Sequence, residues 1–470
     1  MDLPSATSQP ERSPVGARAV ADRDDLERAL VEDGIEFLFA MFVDLHGKPC
    51  AKLVPVTALD QLLDEGAGFA GFAAGPMGQT PRSPDLMAMP DITSYTAAPW
   101  QPGLGIVQCD PTCEGELWPY APRVILRRLL DRLDGAGFSM RAGGEVEYFL
   151  VRRAADGSIE VADARDTSSL PCYDARSLTR MYGHLTSVAR MQSQMGWANY
   201  ASDHEDANGQ FEQNFGYADP MVTADRIIVL RYMIHSLAAD AGMLATFMPK
   251  PFQHLTGSGL HMHTSLWDPT GSSQLFPDPA DERGLGLSAL AYHYIGGLLA
   301  HAPAMTALTC PTVNSYKRLG AGAPTSGASW SPSYAAYGGN DRSMMLRVPE
   351  GNRVENRCID GAANPYLALS AQIAAGLDGI DRQLDPGMPT TADLLTISPE
   401  QATELGLAAL PSTLPEALDL LDGDSALRDG LGKTPDGDYV DYFIDTKRAE
   451  FRQYHSMVSA WEIDHYLSLF

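Results

Sequence analysis

The chain has 470 residues, 44% of them hydrophobic, and carries 60 acidic against 34 basic side chains for a formal charge of -26. That length can bury a large core in two domains, and the acidic balance excludes a role built on non-specific attraction to nucleic acid or anionic membrane. The six cysteines form no CxxC pair and follow no secretory leader, so they read as reduced thiols of a cytoplasmic protein.

In chain order, residues 1–20 are rich in Pro, Ser and Ala and read as a disordered tail. A first helix is expected over Asp24 to Glu32, closed by Gly34. Apolar runs on either side of His46-Gly47-Lys48 predict a hairpin. Gly66 to Pro84 is rich in Gly, Ala and Phe, lacks an acid, and reads as a long loop. Pro122 can begin a helix after the Trp118-to-Arg123 linker, which divides the chain near residue 120 into an N-terminal domain (21–120) and a larger second domain (121–470). Strands are then expected at GGEVEYFLV, MLATFMPKP and HMHTSLW. Helices are expected at RIIVLRYMIHSLAADAG, SALAYHYIGGLLAHAPAMTAL and NPYLALSAQIAAGLDGI. No uninterrupted apolar run reaches the roughly 20 residues of a membrane span.

Six side chains suggest chemistry: Glu145, Glu147, Glu205, Glu212, His261 and Glu355. On a strand, Glu145 and Glu147 face the same side about 6.5 Å apart, and His261 and His263 repeat the device around Met262. Carboxylates with an imidazole suit hard divalent cations such as Mg²⁺ or Mn²⁺. The series Arg318, Arg342, Arg347, Arg353 and Arg357 suits phosphate and carboxylate. Taken singly, these strand and loop acids fit a charged surface, and either histidine a hydrogen-bonded structural role, better than a metal site, while each arginine fits a surface or structural ion pair equally well. Together they are what phosphoryl transfer requires, because the protein's task there is to position and neutralise oxygens.

The ordered motifs GGEVEYFL, HEDANGQFEQNFGYAD, ATFMPKP with GSGLHMHTSL, NSYKRL, RSMMLRVPEG with EN and R, and AANPYLALSAQIAAGLDGI resemble the glutamine synthetase family over residues 120–380. The resemblance implies an α+β fold, with an N-terminal β-grasp-like domain before a catalytic domain whose curved antiparallel sheet forms the active-site funnel. It implies ATP and two or three Mg²⁺ (or Mn²⁺) as cofactors, glutamate as substrate, and hexameric rings stacked as a dodecamer with sites between subunits. One metal would fall to Glu147, Glu205 and Glu212, and the other to Glu145, His261 and Glu355. Arg318, with Gly257 beside it, matches the holder of glutamate's carboxylate. Arg342 and Arg357 match the phosphoryl grip, Arg347 and Arg353 the nucleotide phosphates, and His263 and Ser265 the positions beside ATP.

Three departures concern the second substrate. The family's Asp-Gly-Ser-Ser loop is replaced by the acid-free stretch 66–84, and no glutamate follows KRL before Arg342. Thr256 stands where an asparagine is usual. Bare ammonium wants acidic acceptors, whereas an alkylammonium adds apolar surface that aromatic faces can cover. Phe69, Phe72, Trp330, Tyr334 and Tyr337 are therefore expected to wall an amine pocket. The chain most resembles the branch of the family that includes γ-glutamylmethylamide synthetase. Methylamine is the expected amine, ahead of ammonia and of larger alkyl or aryl amines. A catalytically silent relative is the rival reading, and retention of all six ligands argues against it.

Overall fold

The computed structural model describes residues 20–319, 330–350 and 352–470. The expected tail, except for Val20, lies outside them, as do residues 320–329 of the segment after Arg318. Helix α1 (Arg23–Glu32) starts where the Asp22 side chain accepts the Asp25 amide. The predicted hairpin forms from β1 (Phe37–Val43) and β2 (Pro49–Pro55), with Phe37 opposite Pro55. The stretch 66–84 is less irregular than expected. After α2 (Leu59–Glu65) it holds β3 (Ala67–Phe69) and one helical turn, α3 (Gly71–Ala74). Then come β4 (Leu86–Pro90), β5 (Thr96–Ala97), β6 (Leu104–Cys113) and β7 (Glu116–Leu117). They form one sheet in the order β2-β1-β6-β4-β3, with β5 and β7 pairing β6. The β1–β6 pair is parallel, giving the mixed sheet of a β-grasp-like fold.

Helix α4 (Pro122–Gly135) opens on Pro122, whose missing N–H is one that a helix start leaves unbonded in any case. Its buried Arg123 clamps the two halves of the chain. It donates to Asp91 (2.9 Å) and Asp110 (2.7 Å) on one side and to Asp225 (3.0 Å) on the other. Asn364 adds a second clamp, its amide donating to the carbonyls of Asp44 and Leu45 at the hairpin turn.

The second sheet is built on β8 (Ser139–Arg153). It continues with β9 (Ile159–Val161), β10 (Ser202–His204), β11 (Gln210–Asn214), β12 (Leu244–Thr246) and β13 (Leu260–Trp267). After β14 (Tyr334–Ala335), which pairs elsewhere, β15 (Tyr337–Gly338), β16 (Leu346–Arg347) and β17 (Val354–Asn356) complete it in the order β10-β11-β8-β13-β17-β16-β15. The sheet is curved and antiparallel apart from the β15–β16 edge. Its Val146, Tyr148, Phe211 and Met262 face is buried in the main core, where the long helix Pro220–Asp240 packs against β8. The opposite face carries the acids.

Two expected elements are shorter than predicted. MLATFMPKP yields only β12, because Pro249 and Pro251 cannot donate to a ladder. The helix expected from Ser288 to Leu308 breaks into Ala289–Ala300 and Ala302–Thr309, since Pro303 removes a helical hydrogen bond.

Candidate active site

Cross-strand register assembles the site. Asp203, Glu212 and Glu147 stand in one row across β10, β11 and β8. The next row is Asn214, Glu145 and His261, and a third runs Gly143, His263, Glu355 and Arg347. Residues two apart on one strand share a face, so three rows of acids and imidazoles stack on a single surface. The polar face and the core face come from the same alternation.

These side chains bond to one another. Glu145 accepts from His261 Nδ1 at 3.1 Å and from His263 Nε2 at 2.9 Å. Glu147 accepts from the Gly259 amide (2.7 Å) and the Gln210 side chain (3.2 Å), and Glu212 from Asn214 (2.9 Å). Glu355, fully buried, accepts from Arg347 and Arg357, each at 2.5 Å. Arg318 is buried and donates to the carbonyls of Cys358 (2.9 Å) and Arg357 (3.1 Å). Gly257 makes room for it, because a Cβ there would lie 2.4 Å from the Pro249 carbonyl and 3.0 Å from Arg318 Cγ.

A cavity of about 450 Å³ opens over this face. Glu145, Glu147, Glu205, Glu212 and His261 line it together with Gly257, Arg318, Arg342, Arg347, Arg357 and Trp330. A neighbouring cavity of about 630 Å³ shares Glu145 and holds His263, Ser265, Trp267 and Arg353. Glu355 lies beneath the lining, joined to it through its two arginines. The remaining expected residues are elsewhere in the described chain. Phe69 packs edge-on against Phe42 in the N-terminal sheet, and Phe72 is exposed. Tyr334 pairs in a separate two-stranded ladder. Tyr337 is a buried core residue whose hydroxyl donates to the Gly387 carbonyl, and it lines neither cavity.

Sequence reasoning missed Asp203, Asp206, Asn214 and Tyr200. Asp203, Asn214 and Tyr200 line the first cavity, and Asp206 braces its wall. The spacing of Asp203 to Glu205 repeats that of Glu145 to Glu147 and could have revealed the first of these.

Burial, then the charges of Glu147, Asp203 and Glu145, push the Glu205 carboxyl up to about 8. Burial and the charges of Glu205, Glu145 and Glu147 likewise raise Glu212 well above the ordinary range. Burial opposes the charge on Glu145, yet the imidazoles of His261 and His263 hold it below that range. Such a face fits a divalent cation. Donor atoms of Glu145, Glu212 and His261, and those of Glu145, His263 and Glu355, come within 4.8 Å of one another. Asn214 Oδ1 is buried without a hydrogen-bond donor. On the arginine side the buried Arg357 Nε is also unpartnered, which fits an anionic oxygen.

Residues 119–466 match the model of the glutamine synthetase catalytic domain. The chain belongs to the glutamine synthetase family. Among relatives, a glutamate–methylamine ligase of Methyloversatilis universalis is 42% identical over 95% of this chain and 99% of its own. A glutamine synthetase of Rhizobium leguminosarum bv. phaseoli is 40% identical over 95% of this chain and 99% of its own. Among solved structures, an ADP complex of GmaS superposes with a TM-score of 0.88 at 43% identity, covering 95% of this chain and all (100%) of that one. As a glutamine synthetase family member with such relatives, the chain is a ligase of the class that forms carbon–nitrogen bonds. No described helix is long and apolar enough to cross a membrane.

Proposed function

We propose that this chain is an ATP-dependent ligase that joins the γ-carboxylate of glutamate to a small amine, with methylamine favoured. Its products are then γ-glutamylmethylamide, ADP and phosphate. One observation carries the reading: a single cavity sets a carboxylate–imidazole floor against four arginines, in a chain 42% identical to a glutamate–methylamine ligase.

Arg318, braced by two backbone carbonyls, holds glutamate's carboxylate beside Gly257. Arg342 and Arg357 grip the phosphoryl group in transfer, and Arg347 and Arg353 hold the nucleotide's other phosphates. His263 and Ser265 border the nucleotide in the second cavity. Glu147, Glu205 and Glu212 would hold one divalent cation, and Glu145, His261 and Glu355 another. Bound there, such cations neutralise the phosphate oxygens and spread the charge of the transition state. The γ-carboxylate attacks the γ-phosphorus of ATP, ADP leaves, and the amine opens the γ-glutamyl phosphate with loss of phosphate. Glu205 accepts the proton the amine sheds. The enzyme works in the cytoplasm as hexameric rings stacked into a dodecamer, with no nucleic-acid or membrane partner.

Glutamate labelled with ¹⁸O in its γ-carboxylate tests the intermediate. One labelled oxygen should appear in phosphate for each amide formed; unlabelled phosphate would sink the acyl-phosphate route. Ammonia in place of methylamine is the second reading, favoured by the 40% identity to a glutamine synthetase.

A further inference from the structure

We infer that Asp206 is a positioning residue that fixes the Trp330 indole as one wall of the amine subsite, an inference that rests on the ligase reading above. Asp206 follows Glu205 in the turn between β10 and β11, and its side chain is buried. Its Oδ2 accepts from Trp330 Nε1 at 2.9 Å and from Thr256 Oγ1 at 2.9 Å. Its amide donates to Glu205 Oε2 at 3.3 Å. Glu205, Thr256 and Trp330 all line the cavity over the acidic face. One residue therefore ties together the proton acceptor, the glutamate-side loop and the aromatic wall.

An indole N–H can only donate, and a buried carboxylate is among its strongest acceptors. Pinning the polar edge fixes the ring plane, so the apolar face keeps one orientation toward the cavity. The same charge-assisted bond draws electron density into the ring and strengthens its attraction for an alkylammonium. Ammonia has no carbon surface to cover against that wall, whereas a methyl group has. The threonine in place of the family's asparagine belongs to the same arrangement, since its hydroxyl turns to the oxygen that holds Trp330. Asp206 acts on the amine through Trp330 and touches neither the reacting carbonyl nor the phosphate.

The test is a double-mutant cycle in the full-length, assembled enzyme with Asp206→Asn, Trp330→Phe and the pair. Phosphate release is followed with methylamine and with ammonia at saturating glutamate and ATP. Each single substitution should lower kcat/KM for methylamine about tenfold, mainly through KM. Ammonia should lose less, and the KM values for glutamate and ATP should stay within about twofold. The pair should be no worse than the poorer single variant, because both act on the same charge-assisted bond. Additive losses, or equal losses for both amines, or a matching rise in the KM for glutamate would overturn the inference. Should Asp206→Asn fail to fold, Trp330→Phe alone carries the test: an unchanged amine ratio overturns it. If the unsubstituted enzyme prefers ammonia, the amine assignment fails instead, and additive losses measured with ammonia would then also overturn the Asp206–Trp330 coupling.

Discussion

The carboxylate of Glu355 is fully buried and accepts a hydrogen bond from Arg357 across 2.5 Å. A proposed metal ligand and a proposed phosphoryl-gripping arginine are thus one unit, with Arg347 bonded to the other oxygen. Glu355→Gln removes the charge that both guanidinium groups face. Breaking such a buried pair should cost about 3 kcal/mol of stability, alongside a loss of turnover by orders of magnitude. Thermal unfolding and phosphate-release assays on the same preparation check both. A variant as stable and active as the parent would contradict this picture.

Glu147→Gln makes a sharper test of chemistry apart from folding. Its carboxylate accepts from the Gly259 amide and Gln210, and a glutamine can still accept the first of these. Turnover should fall by orders of magnitude while the unfolding midpoint stays within a few degrees of the parent.

Cation binding should be linked to pH through Glu205, which burial and neighbouring carboxylates push up to about 8. Between the ordinary carboxylate range and that value, the folded protein holds a proton that the unfolded chain releases. Stability of the metal-free protein should therefore fall as pH rises through the window. A divalent cation displaces the proton, so the rise in Tm on adding Mg²⁺ should be larger at pH 8 than at pH 6. Calorimetry with and without chelator reads this directly; a Tm shift independent of pH would refute it.

Much of the ligand face is legible in the sequence because strand period is a local property. Glu145 with Glu147, and His261 with His263, need only the knowledge that each lies on a strand. Register is different: which strand lies beside which depends on long-range packing. Nothing local says that Asp203 faces Glu212 or that Glu355 faces His263. Aromatic residues expose the same limit. Trp330 and Tyr337 sit in one Tyr-rich stretch, yet the first lines the cavity and the second packs in the core against Tyr292. Apolar character marks both without telling a pocket wall from a core layer. Pro303 marks the helix break locally, although the apolar run continues on both sides of it.

His301 should act as a stability switch away from the site. Burial disfavours its charged form, but Asp424 at 2.6 Å and Asp378 at 2.9 Å on its two ring nitrogens raise it above the ordinary imidazole range. A raised value means the contribution is complete below about pH 6.5 and is lost as pH rises through the folded-state value. His301→Gln should therefore lower Tm more at pH 6 than at pH 9. An equal deficit at both would show that the imidazole's charge plays no part.

Assembly should be required for activity. Phe72 in the 66–84 stretch is exposed, and so are Tyr173 and Tyr200 on the cavity lining. Apolar surface of this kind calls for cover, which a neighbouring subunit's N-terminal domain can supply. Sedimentation of diluted enzyme with a parallel assay checks this. Full activity in a 50.7 kDa monomer would contradict it.

Amine choice is the central claim, and competition measures it most directly. With ATP and glutamate saturating, methylamine and ammonia supplied together, and both amide products quantified by mass, the product ratio gives the ratio of kcat/KM values. One buried methyl is worth about 1 kcal/mol, so methylamine should win about fivefold, with ammonia still reacting. Glutamine formed at least as fast as γ-glutamylmethylamide at equal amine concentrations would contradict the account and leave a glutamine synthetase with a rearranged ammonium site.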